Sequence, residues 1–209
     1  RLGDGECANE GRVFSGATGR SEPKPVQKNR PVGGAGRGPE SRDVADAHGA
    51  TGMGTPLMRG GEEVGALVGK YETAIANHPE IERRPGIMVL RHTYVHSADD
   101  PEGWRPAAEG INTFYRTFNA WAFEKNTPEN GFLAPSDPAK FAERPEFAPE
   151  ALHRTAMIGT PDEVIERLHH YAALGVTEYS FWSDNTLSHE QKKRSLELFI
   201  ADVMPAFRG

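Results

Sequence analysis

Thr160-Pro161-Asp162-Glu163-Val164-Ile165-Glu166-Arg167-Leu168-His169-His170-Tyr171-Ala172-Ala173-Leu174-Gly175-Val176-Thr177-Glu178-Tyr179-Ser180-Phe181-Trp182 spells a helix followed at once by a strand. Thr160 is placed to cap, Pro161 fits the first helical position, and Glu163 can reach back to close a capping box. Val164, Ile165, Leu168, Tyr171 and Ala172 recur at helical spacing. Gly175 stands just past the end, where a left-handed cap needs a residue without a Cβ. Val176 to Trp182 is rich in aromatic and β-branched residues, as a strand is. Ser183-Asp184-Asn185 breaks it. Ser188 with Gln191 makes a second capping box, Leu196, Phe199, Ile200 and Val203 form the apolar stripe of a last helix, and Pro205 closes it. Helix, strand and helix with short connections is the grammar of an α/β protein with a parallel sheet.

The same grammar holds upstream. Glu62 to Ala76 reads as a helix with Val64, Leu67, Val68, Tyr71 and Ile75 on one face. Pro85-Gly86 precedes a strand from Ile87 to about Val95. Its centre, Ile87-Met88-Val89-Leu90, is continuously apolar, which predicts burial on both sides. Ala107 to Lys125 reads as a long helix carrying Ile111, Phe114, Tyr115, Phe118 and Phe123. Residues 126–150 are rich in Pro, Asn and Asp and predict an irregular excursion of the kind that contributes to active sites.

The chain has 209 residues, with 30 acidic residues against 24 Lys plus Arg. The resulting charge of −6 lacks the basic footprint of a general nucleic-acid binder. Cys7 has no second cysteine to pair with, which excludes an internal disulfide framework and a Cys-rich zinc site. No apolar run approaches the ~20 residues of a membrane span, and no signal peptide is legible. The expectation is a soluble, cytoplasmic protein. Residue 1 is Arg rather than Met, which predicts a fragment or a processed product. Residues 1–60 hold 13 of the 23 glycines and one aromatic, Phe14. Such a stretch buries little surface against the entropy of ordering it. The division expected is therefore a poorly ordered, Gly-rich segment over 1–60 and a β/α part over 61–209.

Several motifs together resemble the bacterial luciferase-like family of flavin-dependent monooxygenases and oxidoreductases. These are Pro23-Lys24-Pro25-Val26-Gln27-Lys28 with Pro31, then Gly36-Arg37-Gly38-Pro39-Glu40-Ser41, then Ile158-Gly159-Thr160-Pro161-Asp162-Glu163-Val164 continuing to Gly175-Val176. The resemblance runs from about Gly11 to Phe207. It implies a (β/α)8 barrel of the TIM type, of which this chain resembles the C-terminal half, since a full barrel takes about 250 residues. It further implies reduced FMN and dioxygen acting on a small organic substrate, a flavin reductase as supplier, and a homodimer or association with an N-terminal half. A deazaflavin used for hydride transfer is the alternative cofactor. A non-catalytic half-barrel or dimerising module is the alternative role.

Candidate site residues follow from the same comparison. Gly36, Arg37, Gly38 and Ser41 are the candidates for holding the flavin phosphate. Glycines permit close approach, Arg37 adds charge, and a helix N-terminus would favour the anion. The family's small hydroxyl residues near positions 37 and 38 are absent here, and Gly33-Gly34 weakens the strand before the loop. A flexible Gly-rich linker remains the competing reading. His92 and His96 share a strand face, but no spacing supplies further metal ligands. Arg91 near a strand end is a candidate to face an active site. Trp182-Ser183-Asp184-Asn185 is a pocket-lining candidate at the mouth of the barrel. No catalytic residue is named by the sequence.

Overall fold

The computed structural model describes residues 61–208 except 78, 80–83, 85, 123, 125, 126 and 185, and before them the strand backbones at 7–10, 15–19, 34–35 and 52–55. The expected division at residue 60 therefore falls largely outside the described residues. The strands in this first part are β1 (Cys7–Glu10), β2 (Ser15–Gly19), β3 (Gly34–Ala35) and β4 (Gly52–Thr55). β1 and β2 form an antiparallel pair. Then come α1 (Gly61–Ala76), β5 (Gly86–Val95), α2 (Arg105–Ala122), α3 (Pro138–Ala142), α4 (Pro149–Thr155), β6 (Met157–Gly159), α5 (Pro161–Ala173), β7 (Glu178–Trp182) and α6 (His189–Leu198).

β5 is the spine of a five-stranded parallel sheet. β4 pairs with it along 86–89, β7 along 88–92 and β6 along 93–95, while β3 lies outside β4. All these strands run the same way, so the C-terminal ends of β5, β6 and β7 lie at one edge of the sheet. Parallel neighbours need crossovers, and α1 and α5 supply them on a single face.

That face holds the first core. Ile87, Val89 and Val95 of β5 and Met157 of β6 pack with Val64, Val68 and Tyr71 of α1 and with Val164, Leu168 and Tyr171 of α5. Ile87, Val89, Val64 and Val164 are fully buried. Each such side chain contributes about 1.5–3 kcal/mol relative to exposure. The second core lies around α2. Trp104, Ala107, Ala108, Ile111 and Tyr115 meet Phe141, Phe147, Leu152, Ala156 and Ile158. β6 serves both cores, because successive side chains of a strand point to opposite sides: Met157 goes to the first and Ile158 to the second.

The capping boxes form as expected. Thr160 Oγ1 accepts from the Glu163 N–H and the Glu163 carboxylate accepts from the Thr160 N–H at 2.8 Å. Ser188 and Gln191 repeat the arrangement at α6. Gly175 has φ +96°, the left-handed conformation its position predicted. Three expectations need correction. Met88 and Leu90 are only half-buried, so the apolar centre of β5 is covered on one side rather than two. Residues 126–150 are not wholly irregular: they contain α3, a 3-10 turn at Pro145–Phe147 and the start of α4. Pro205 does not close α6, which ends at Leu198 and continues as a π turn at Phe199–Val203 and a 3-10 turn at Met204–Phe207 that includes Pro205. No helix among the described residues is long and apolar enough to cross a membrane.

Candidate active site

The alternation of β5 decides which side chains reach the open face. Odd positions 87 to 95 turn toward α1 and α5, so even positions 88 to 96 lie on the other side. Register places Leu90 beside Ser180 and His92 beside Trp182. The two C-terminal strand ends thus bring an imidazole and an indole together, with ring centroids 5.6 Å apart. α2 lays Phe114 and Tyr115 against the same imidazole, at 5.2 and 5.4 Å, both edge to face. Phe114 also meets Trp182 at 6.1 Å. Edge-to-face contacts place ring hydrogens on π faces, and each such aromatic pair adds about 0.5–1.5 kcal/mol beyond burial. The wall therefore has a fixed shape.

Its polar atoms are held as well. His92 Nε2 lies 3.1 Å from the Tyr115 hydroxyl, and both residues are buried. Burial pushes the Tyr115 phenol far above its ordinary pKa, against the opposing charge of Arg91. Tyr115 stays a neutral phenol, and the His92 ring is fixed in orientation.

Arg91 corrects an expectation. It points to the opposite side, where it is fully buried. There Nε donates to the Tyr171 hydroxyl at 3.1 Å and the guanidinium lies over the Tyr171 ring. An odd position on β5 places it among the helices, away from the strand-end wall. Thr93 and Tyr179 share a hydroxyl hydrogen bond beside it.

His96 is buried at the end of β5, with Nδ1 3.0 Å from the Ser97 carbonyl. A carbonyl only accepts, so this contact assigns the proton of a neutral ring to Nδ1. No group of three or more His, Cys, Asp or Glu among the described residues could hold a metal ion. Nearby, His153 stacks face to face on Trp104 at 4.4 Å. Burial lowers the His153 pKa, and Arg167 lowers it further. Arg167 Nη1 donates to the Ala156 and Ile158 carbonyls at 3.1 and 2.7 Å, tying α5 to the start of β6.

Gly36, Arg37, Gly38 and Ser41 lie outside the described residues. In chain order Gly36 follows directly on β3, which ends where a phosphate loop after a parallel strand would begin. Of the pocket-lining candidates, Trp182 joins the wall, and its indole N–H donates to the Asp184 carbonyl at 3.1 Å. Phe114 and Tyr115, at helical spacing, join the second core as such spacing suggests, and they also meet His92. The sequence signal for this meeting is the run His92, Tyr94, His96 on one side of a strand whose other side is largely apolar.

Parallel strands with helical crossovers and an aromatic wall at their C-terminal edge define part of a (β/α)8 barrel. The luciferase-like monooxygenase family model matches residues 4–178, and the chain belongs to that family. It is 41% identical over 207 residues to the oxygenase component of a flavin-dependent trigonelline monooxygenase from Acinetobacter baylyi, covering 99% of this chain and 57% of that protein. Its fold is similar to that of a monooxygenase from Streptomyces bottropensis, with a TM-score of 0.64 at 18% identity over 99% of this chain and 57% of the other. It is also similar to a coenzyme F420-dependent secondary alcohol dehydrogenase, with a TM-score of 0.62 at 15% identity and the same coverage. The chain thus spans a little over half the length of the relatives it matches.

Proposed function

We propose that this chain forms the C-terminal half of the oxygenase component of a flavin-dependent monooxygenase. The observation that carries the reading is the meeting of His92 and Trp182, on the sheet face opposite α1 and α5, with Phe114 and Tyr115 of α2 at the C-terminal edge. The donor set fits a flat, largely apolar ring system. It offers aromatic edges and faces, with half-buried Met88 and Leu90 further down β5. When bound, reduced flavin supplies the electrons that activate dioxygen for insertion into an organic substrate.

The residues of this chain bind and orient. Phe114 and Trp182 give the ring system a wall and keep water from one side of it. Tyr115, held as a phenol by burial, locks the His92 imidazole through the 3.1 Å contact. Gly36, Arg37, Gly38 and Ser41 are assigned to the flavin phosphate, with FMN as the flavin. The substrate is a small organic molecule, and a flavin reductase is the supplying partner. The oxygenase-component name of the 41% identical relative supports the reductase. A homodimer, or association with an N-terminal half-barrel, completes the sheet, and the setting is cytoplasmic. The F420-dependent relative supports a second reading in which a deazaflavin transfers hydride.

Titration of the chain with oxidised and reduced FMN, followed by flavin fluorescence, tests this. Saturable binding in the micromolar range is expected, weakened at least tenfold by Arg37→Ala. Trp182→Ala is expected to remove much of the quenching. Absence of saturable binding overturns the flavin reading. Preference for a deazaflavin under the same conditions selects the second.

A further inference from the structure

The connection from β7 to α6 leaves the sheet after Trp182 and enters the helix at Ser188. Both of its ends are fixed. Trp182 is paired with His92 in the sheet. Ser188 opens α6 with a capping box: the Gln191 N–H donates to Ser188 Oγ at 3.3 Å, and the Ser188 N–H donates to Gln191 Oε1 at 3.1 Å. Leu187, one residue earlier, packs against the second core.

Between these anchors the backbone is strained. Thr186 has φ +58°. That is the left-handed region, where a β-branched residue is a genuine outlier. Such a conformation persists only where its surroundings over-determine it, and it collects at sites whose geometry matters.

A second contact holds the connection from the helix side. Lys192 Nζ meets Asp184 Oδ1 at 2.9 Å. The Lys192 N–H donates to the Ser188 carbonyl at 3.1 Å, so this ammonium rises from the capped turn. The helix dipole gives no reason for a cation there, because a helix N-terminus favours anions. Nor is the pair a store of global stability. The Asp184 side chain is 76% exposed, and exposed pairs contribute little. Its consequence is local. The main-chain carbonyl of the same Asp184 accepts the Trp182 indole N–H at 3.1 Å. Contacts therefore run from Lys192 through Asp184 to the indole, whose ring lies 5.6 Å from His92 and 6.1 Å from Phe114. Ring contacts set the separation of two rings. A directional N–H bond sets which edge of the indole turns outward.

We propose that Asp184, clamped by Lys192 beside the left-handed turn at Thr186, is the positioning residue that orients the Trp182 indole in the aromatic wall. The clamp sets the indole before any ligand arrives, so the wall loses little freedom on binding. Its use in placing a flavin rests on the function proposed above, whereas the orientation of the indole does not.

The test follows the Trp182 indole N–H of the isotope-labelled, flavin-free chain by its chemical shift and solvent exchange, with Trp182→Phe to assign the signal. Lys192→Met and Asp184→Ala should each shift the signal and speed exchange about fivefold, the effect of releasing one hydrogen bond. Their urea midpoints should match the parent, because the ion pair is exposed. Lys192→Arg should restore the parent signal. Thr186→Pro, whose ring forbids a positive φ, should act like Lys192→Met. Thr186→Gly adopts φ +58° without strain and should leave the signal in place. FMN affinity should fall about threefold in Lys192→Met and recover in Lys192→Arg. An indole signal unmoved by Lys192→Met and Thr186→Pro overturns the proposal, and so does a Lys192→Met change that Lys192→Arg does not reverse. If the parent chain binds no FMN, the flavin reading fails, and the indole signal alone still decides the clamp.

Discussion

The two sides of β5 are built for different purposes. On the odd side Ile87, Val89, Arg91, Thr93 and Val95 are all buried, and each meets a helix or a neighbouring strand. On the even side Met88, Leu90 and Tyr94 are half-buried, and only His92 and His96 are closed over. One strand therefore carries a core surface and a site surface one residue apart. The odd side is specified by volume and can be checked by stability. The even side is specified by which groups it brings to the strand end, and is checked by binding.

Truncation along the strand probes this difference most strongly. Ile87→Ala should cost about 3 kcal/mol and Val89→Ala about 2–3 kcal/mol, since each leaves a cavity that rigid neighbours cannot fill. Met88→Ala and Leu90→Ala should each cost less than about 1 kcal/mol, because solvent already reaches them. Urea unfolding of the four variants compares them directly, and equal costs would break the contrast.

Smaller changes sharpen it. Thr93→Val keeps the shape but strips the Tyr179 hydroxyl of its partner, and about 1–2 kcal/mol should be lost. Thr160→Ala removes the cap of α5, which abuts the odd side, and should cost about 1 kcal/mol by the same measurement.

The smallest expected effect is in the pH dependence. His153 has a folded pKa below its ordinary 6.5, first from burial and then from Arg167. The unfolded chain then takes up the proton more readily, so stability is complete above pH 6.5 and declines as the pH falls below it. Thermal melts of the parent and His153→Phe chains between pH 7.5 and 5.5 should show a shallower decline in the variant. Glu163 acts at lower pH. Burial raises its pKa, but the Thr160 hydrogen bonds and Arg167 outweigh this and leave it lowered. Its contribution is present above about pH 4.5 and is lost as the pH falls through the folded value.

Much of the odd side was legible in the sequence. The Thr160 box, Gly175 and the helical stripes of α1 and α5 are local signals, and each fixes its own element. The apolar run Ile87 to Leu90 misled, because continuous hydrophobicity cannot say which of two faces a partner covers. Arg91 misled for the opposite reason. A charged residue at a strand end suggests solvent, yet a tyrosine 80 residues later supplies the hydroxyl and ring that receive it. His92 and Trp182 are brought together only by parallel pairing, and Phe114 and Tyr115 reach them only by the docking of α2. No spacing in the chain encodes them.

The spine position of β5 also constrains how the molecule is made. Residues 86–95 find their sheet partners at 178–182 and 157–159, and the Val95 amide finds its acceptor at Ser195. On a ribosome adding roughly 5–20 residues per second, β5 waits about 5–20 s before its last partner is synthesised. During that interval the edge of β5 that takes β6 and β7 is unpaired and available to other chains. Contacts that hold β5 in place thus arrive about a hundred residues after it, which makes early chain termination more damaging than most single substitutions.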